Sequence, residues 1–100
     1  MGAADIGRID EVIHGRLRLG VMVYLAEAEV ADFTELKNAL EATQGNLSVH
    51  LRKLQDAGYV EIEKSFLKLK PLTRIRITRA GREAFKAYLD ALDALVGRKD

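Results

Sequence analysis

The chain has 100 residues, no cysteine, 16 basic and 15 acidic side chains, 48% hydrophobic residues and a formal net charge of +1. That length suits one domain with one core, and without cysteine there is no disulfide, no thiol nucleophile and no zinc–thiolate centre. The longest apolar run, Val21 to Ala26, is far short of the roughly 20 residues a membrane helix needs. The opening MGAADIGRIDEV carries acids early and no apolar leader core, so the expected location is cytoplasmic with no membrane partner.

Ile6, Ile9, Val12 and Ile13 recur at helical spacing up to Gly15, which predicts a first helix. A second is expected over 16–28, with Leu17, Val21, Tyr24, Leu25 and Ala28 inward. Asp32-Phe33 suits a short extended piece. Thr34 is the expected N-cap of a two-turn helix carrying Leu36, Ala39 and Leu40. EATQG is then a tight connection, with Thr43 placed to cap a helix over 44–57 that Gly58 stops. From Tyr59 the apolar period becomes two: Val60 and Ile62, then Ile75 and Ile77, alternate with charged residues. LKLKPL between them holds the only proline, so a hairpin with a loose tip is expected. Thr78 caps a last helix over 79–96.

The expected fold is α+β and mostly helical, a single domain over 1–100. A helix-turn-helix spans 34–57, a two-stranded β wing 59–78, and N- and C-terminal helices serve dimerisation. Charge follows this division. Residues 1–43 hold four basic and eight acidic side chains, a net of −4. Residues 44–79 hold eight and three, a net of +5. Because salt screens charges beyond about 8–10 Å, the local field decides what is attracted, and the basic segment favours phosphate.

The stretch RLGVMVYLAEAEVADFTELKNALEATQGNLSVHLRKLQDAGYVEIEKSF resembles the winged helix-turn-helix regulators of the MarR and ArsR groups. NLSVHLRKLQDAGYV matches their recognition helix and following strand, and RIRITRAGREAF the second wing strand running into the last helix. The resemblance covers about residues 8 to 96 and is nearest to short, stand-alone winged-helix proteins with a MarR-like dimer. It implies a homodimeric regulator that binds sequence-specific double-stranded DNA, a repressor by family likeness. A small-molecule effector between dimer helices is part of that likeness, with no residue naming a ligand. The chain departs from the pattern at Val49, where such helices often carry a basic residue, and at the apolar wing residues Leu67, Leu69 and Leu72.

In a helix-turn-helix the second helix enters the major groove. Leu47, Leu51 and Leu54 share one face and point to the core, which leaves Thr43, Gln44, Gly45, Asn46, Ser48, Val49, Arg52 and Lys53 outside, with His50 flanking. Gln44 and Asn46 suit adenine, Arg52 guanine, and Val49 a thymine methyl. Ser48, His50 and Lys53 suit phosphate. The bland alternative is an ordinary solvated helix face. In the wing, Lys64, Lys68, Lys70, Arg74 and Arg76 are candidate backbone or minor-groove contacts, or else charges that protect an edge strand.

In the last helix Phe85, Leu89, Leu92 and Val96 form one apolar seam, with Tyr88 placed beside it, and Ala84, Ala87, Ala91 and Ala94 form another. One seam can serve the chain's own core and the other a dimer partner; the interface is expected at Phe85, Tyr88, Leu89, Leu92 and Val96, joined by Ile6, Ile9 and Ile13. A single broad core face is the alternative. His14 and His50 are the only histidines and have no acid or cysteine cluster beside them, so no metal or cofactor is expected. Ser48 and His50, two apart on a helix, face apart and make no triad, so no enzyme is expected. Two other functions compete: a winged-helix protein-interaction module that does not bind DNA, and single-stranded nucleic-acid binding, for which the basic segment offers only Tyr59 and Phe66 as stacking surfaces.

Overall fold

The computed structural model describes residues 3–97. A 3-10 helix, Ala3–Arg8, precedes α1 (Arg16–Ala28), β1 (Val30–Asp32), α2 (Phe33–Ala39), α3 (Gln44–Asp56), β2 (Val60–Leu67), β3 (Lys70–Ile77) and α4 (Arg79–Leu95). The three strands form one antiparallel sheet in the order β1-β3-β2.

The N-terminal isoleucines do not form a regular α-helix. Asp10 Oδ1 accepts hydrogen bonds from the backbone N–H groups of Val12 at 2.8 Å and Ile13 at 3.2 Å. A side chain that satisfies the next two donors competes with helix propagation and closes a turn instead. That turn drives Ile13 fully into the core, so Ile13 is not a dimer-surface residue as expected. Ile9 packs half-buried against the same core, and Ile6 is exposed.

α1 keeps its expected bounds but buries Val21, Met22 and Leu25, while Ala28 lies on the surface. Asp32, not Thr34, caps α2. Its carboxylate accepts from the Glu35 N–H at 2.7 Å, and the Glu35 carboxylate reaches back to the Asp32 N–H at 3.4 Å. This reciprocal capping box satisfies two helix-end donors at once. Thr43 caps α3 as expected, accepting from the Asn46 N–H at 3.2 Å. Leu47, Leu51 and Leu54 all point inward, each contributing about 1.5–3 kcal/mol of burial. Gly58, with φ of 83°, then ends the helix.

The hairpin tip is tight rather than loose. β2 and β3 stay in register to Leu67↔Lys70, leaving only Lys68 and Leu69 as the turn. In a two-residue hairpin the flanking pair exchanges hydrogen bonds, so the next pair, Phe66↔Pro71, does not. Pro71 therefore turns its missing N–H away from β2. β1, which pairs only with residues 74–76 of β3, does not reach that far, and the proline costs no ladder bond.

α4 is capped by Thr78, whose Oγ1 accepts from the Gly81 N–H at 2.9 Å and donates to the Gly58 carbonyl at 2.6 Å. Its buried stripe is Gly81, Tyr88 and Ala91. Tyr88 is only 2% exposed, so it belongs to the core and not to a dimer surface. On the alanine side, Ala87 is exposed, while Ala91 is buried and Ala84 half-buried against the chain's own core. Phe85 and Leu92 are half-buried against it, and Leu89 and Val96 remain exposed.

Candidate nucleic-acid interface

The fold displays one face of α3. With its three leucines inward, Thr43, Gln44, Gly45, Asn46, Ser48, Val49, Arg52 and Lys53 form its outer side, and all of them are exposed. The first-turn N–H groups and the positive end of the helix dipole lie at the same end, which favours an anion there. Val49 is 55% exposed, an apolar patch among polar neighbours.

An open groove runs from this helix to the distal half of the hairpin, with Gln44, Ser48 and Arg52 on one wall and Lys64 and Thr73 on the other. Thr34 and Lys37 of α2 also line it. Neither is among the residues that the sequence assigns to the interface, although their i, i+3 spacing on the polar side of α2 is the signal that marks them. Among the described residues the ion pairs are Arg76–Glu29 and Arg79–Glu83. Arg52, Lys53 and Lys64 thus keep their charge free of a carboxylate partner.

The wing cations divide between two faces. Ile75 and Ile77 point into the core. By strand alternation Arg74 and Arg76 point the other way, away from α3. There they sit among acids: Arg74 lies between Asp32 and Glu63 in the cross-strand register, and Arg76 pairs with Glu29 at 3.6 Å. Lys70 shares that parity near the tip, Lys68 is in the turn, and Lys64 alone lies on the groove side.

His50 is half-buried and bound. Arg18 donates from Nη1 to His50 Nδ1 at 2.8 Å and from Nε to the Val12 carbonyl at 2.5 Å. A guanidinium can only donate, so Nδ1 is the acceptor and the ring is neutral with its proton on Nε2. Burial lowers the His50 pKa below its usual value, and the charges of Arg18 and Lys53 lower it further. Its expected phosphate contact is therefore limited to a neutral Nε2–H donor. Tyr59 is tied down nearby: its hydroxyl donates to Asp10 at 2.5 Å, and that bond, reinforced by burial, pushes the phenol up to about 12. His14 meets Tyr88, with 2.9 Å between Nδ1 and the hydroxyl. No group of three or more potential metal-ligating side chains occurs among the described residues, and no described helix is long and apolar enough to cross a membrane.

A helix-turn-helix with a hairpin closing a basic groove defines a winged helix. Residues 17–96 match the winged helix DNA-binding domain family, and the chain belongs to it. It is 39% identical over 79 residues to an uncharacterized protein of Methanocaldococcus jannaschii, covering 79% of this chain and 86% of that one. It superimposes on a transcriptional regulator homologue from Pyrococcus horikoshii with a TM-score of 0.87 and 30% identity, covering 94% and 95% of the two chains. A MarR-family transcriptional regulator from Silicibacter pomeroyi shares the fold, with a TM-score of 0.65, 19% identity, and coverage of 84% and 58%. The fold and family are those of DNA-binding transcriptional regulators.

Proposed function

We propose that this chain is a cytoplasmic, homodimeric regulator that binds a specific double-stranded operator and acts as a repressor, without enzymatic activity. The observation that carries this reading is the groove itself: exposed Gln44, Ser48 and unpaired Arg52 face Lys64 across it. α3 would enter the major groove, where Gln44, Asn46 and Arg52 meet base edges and Thr43, Ser48 and Lys53 meet phosphates. At Gly45 even a Cβ would meet nothing within 4 Å, which leaves room for close approach of the backbone to DNA.

The dimer contact is the apolar surface the core leaves uncovered. Leu89 and Val96 of α4 are 43% and 72% exposed, and Ile6 of the adjoining 3-10 helix is 66% exposed. Phe85, Leu92 and Ile9 border them, half-buried. A two-fold axis there would set two recognition helices about one DNA turn, ~34 Å, apart.

The test is fluorescence anisotropy with mixed-sequence duplex DNA at several salt concentrations, followed by operator selection from a random library. Log affinity should fall with log salt at a slope of several units, and the Arg52→Glu, Lys53→Glu double variant should lose binding. Equal binding by that variant would remove the assignment and leave a protein-interaction module as the reading.

A further inference from the structure

The apex of the hairpin exposes apolar side chains that no part of the fold uses. Leu69 is 95% exposed, Phe66 75% and Leu67 58%. From Ile75, the outermost fully buried residue of β3, to Leu69 is six residues, or ~20 Å of extended strand. Lys68 and Leu69 make the turn with φ values of 52° and 67°. A two-residue turn with both central residues in the left-handed region suits glycine and asparagine, yet lysine and leucine stand there. The turn thus holds an exposed leucine at the furthest point of a protruding, in-register ribbon.

The surroundings select the occupant. From Lys64 to Thr78 the sequence contains no acidic residue, and Lys68 and Lys70 flank Leu69 directly. By strand alternation Phe66 lies on the same face as Lys64, so the apolar apex continues the groove that starts at α3. An apolar point between cations, reached from a phosphate-binding groove, complements a nucleic-acid minor groove better than an apolar protein surface, which would leave the lysines without partners.

We propose that the wing apex is a minor-groove wedge: Leu69, backed by Phe66, enters between base pairs at a flexible pyrimidine–purine step, while Lys68 and Lys70 hold the flanking phosphates. The duplex bends away from the wedge as the step unstacks. This inference rests on the DNA-binding reading above.

The experiment uses the full chain and the duplex selected from the random library, labelled at both ends for energy transfer and carrying 2-aminopurine in turn at each TA or CA step. Salt-dependent affinity tests DNA binding, while end-to-end transfer and 2-aminopurine fluorescence test the wedge. The expected result is a bent duplex and a fluorescence rise at one step. Both should be lost in Leu69→Ser and reduced in Phe66→Ser, with an unchanged salt slope because the lysines remain. Both side chains are exposed, so circular dichroism should show an intact fold in each variant. Salt-dependent binding to a straight duplex, or equal bending by Leu69→Ser, overturns the wedge and leaves DNA binding standing. Loss of self-association by the tip variants with bending unchanged makes the apex a protein contact and also overturns it. No salt-dependent binding at all overturns both readings.

Discussion

Arg18 and His50, 32 positions apart, are joined by a 2.8 Å hydrogen bond that ties α1 to the flank of α3. Arg18 is itself held by the carbonyls of Val12 and Glu11. The orientation of α3 is therefore coupled to the turn that Asp10 closes, and through Tyr59 to the start of the wing.

Burial of His50, with the charges of Arg18 and Lys53 beside it, makes stability depend on pH in a definite direction. The folded-state pKa of His50 lies below the unfolded value of 6.5. The unfolded chain thus takes up the proton first. The His50 contribution is fully present above 6.5 and is lost as pH falls through the lower folded value. Urea unfolding from neutral pH downward should show a decline that His50→Asn, which keeps an acceptor but cannot titrate, makes shallower. Parallel curves for the two proteins would show that His50 is not the titrating group.

Gly81→Ala should be severely destabilising. A Cβ at that position would stand 2.1 Å from the Tyr59 carbonyl oxygen, a backbone atom that cannot swing aside. The same oxygen accepts the Thr78 N–H at 3.0 Å, so relief of the clash breaks the junction of β3 and α4. A loss of about 3 kcal/mol is expected, measured by chemical denaturation. Gly45→Ala, with open space around it, should cost little stability.

The two faces of the wing should separate in DNA binding. Lys64→Ala, on the groove side, should lower the salt slope by about one unit. Arg74→Ala, on the opposite face, should leave it unchanged. Arg76→Ala should also leave the slope unchanged and cost about 0–1 kcal/mol of stability, since its ion pair with Glu29 is largely exposed. A reduced slope for Arg74→Ala would place that face against DNA.

If the proposed dimer forms through α4, Leu89→Glu and Val96→Glu should abolish it with little loss of protomer stability, seen by light scattering and denaturation together. Tyr88→Ala should do the reverse. It empties a core position and costs about 3–5 kcal/mol, whatever the state of association. Glutamate variants that stay dimeric would move the interface elsewhere.

Much of the architecture is written in short stretches of sequence. Thr43, Thr78 and Gly58 can be assigned as helix boundaries because a cap is made by residues two or three positions away. The inward leucines of α3 and the alternating β2 and β3 follow from periodicity alone. Even the local departures have local causes: Asp32 outcompetes Thr34 as a cap because Glu35 completes its box, and Asp10 captures donors that the isoleucine spacing assigns to a helix.

Legible along the chain, then, are the order and type of the elements from α1 onward, the basic middle segment and the polar side of α3, since these depend on neighbouring residues. Packing alone settles that Ile13 and Tyr88 are interior, that Arg74 and Arg76 face away from the groove, and that Arg18 occupies His50. Each of these turns on a contact or register between segments far apart. The His14–Tyr88 bond spans 74 positions and the Tyr59–Asp10 bond 49. No periodicity or capping rule reaches that far, because which side of a strand or helix meets the core is settled only when the elements pack together.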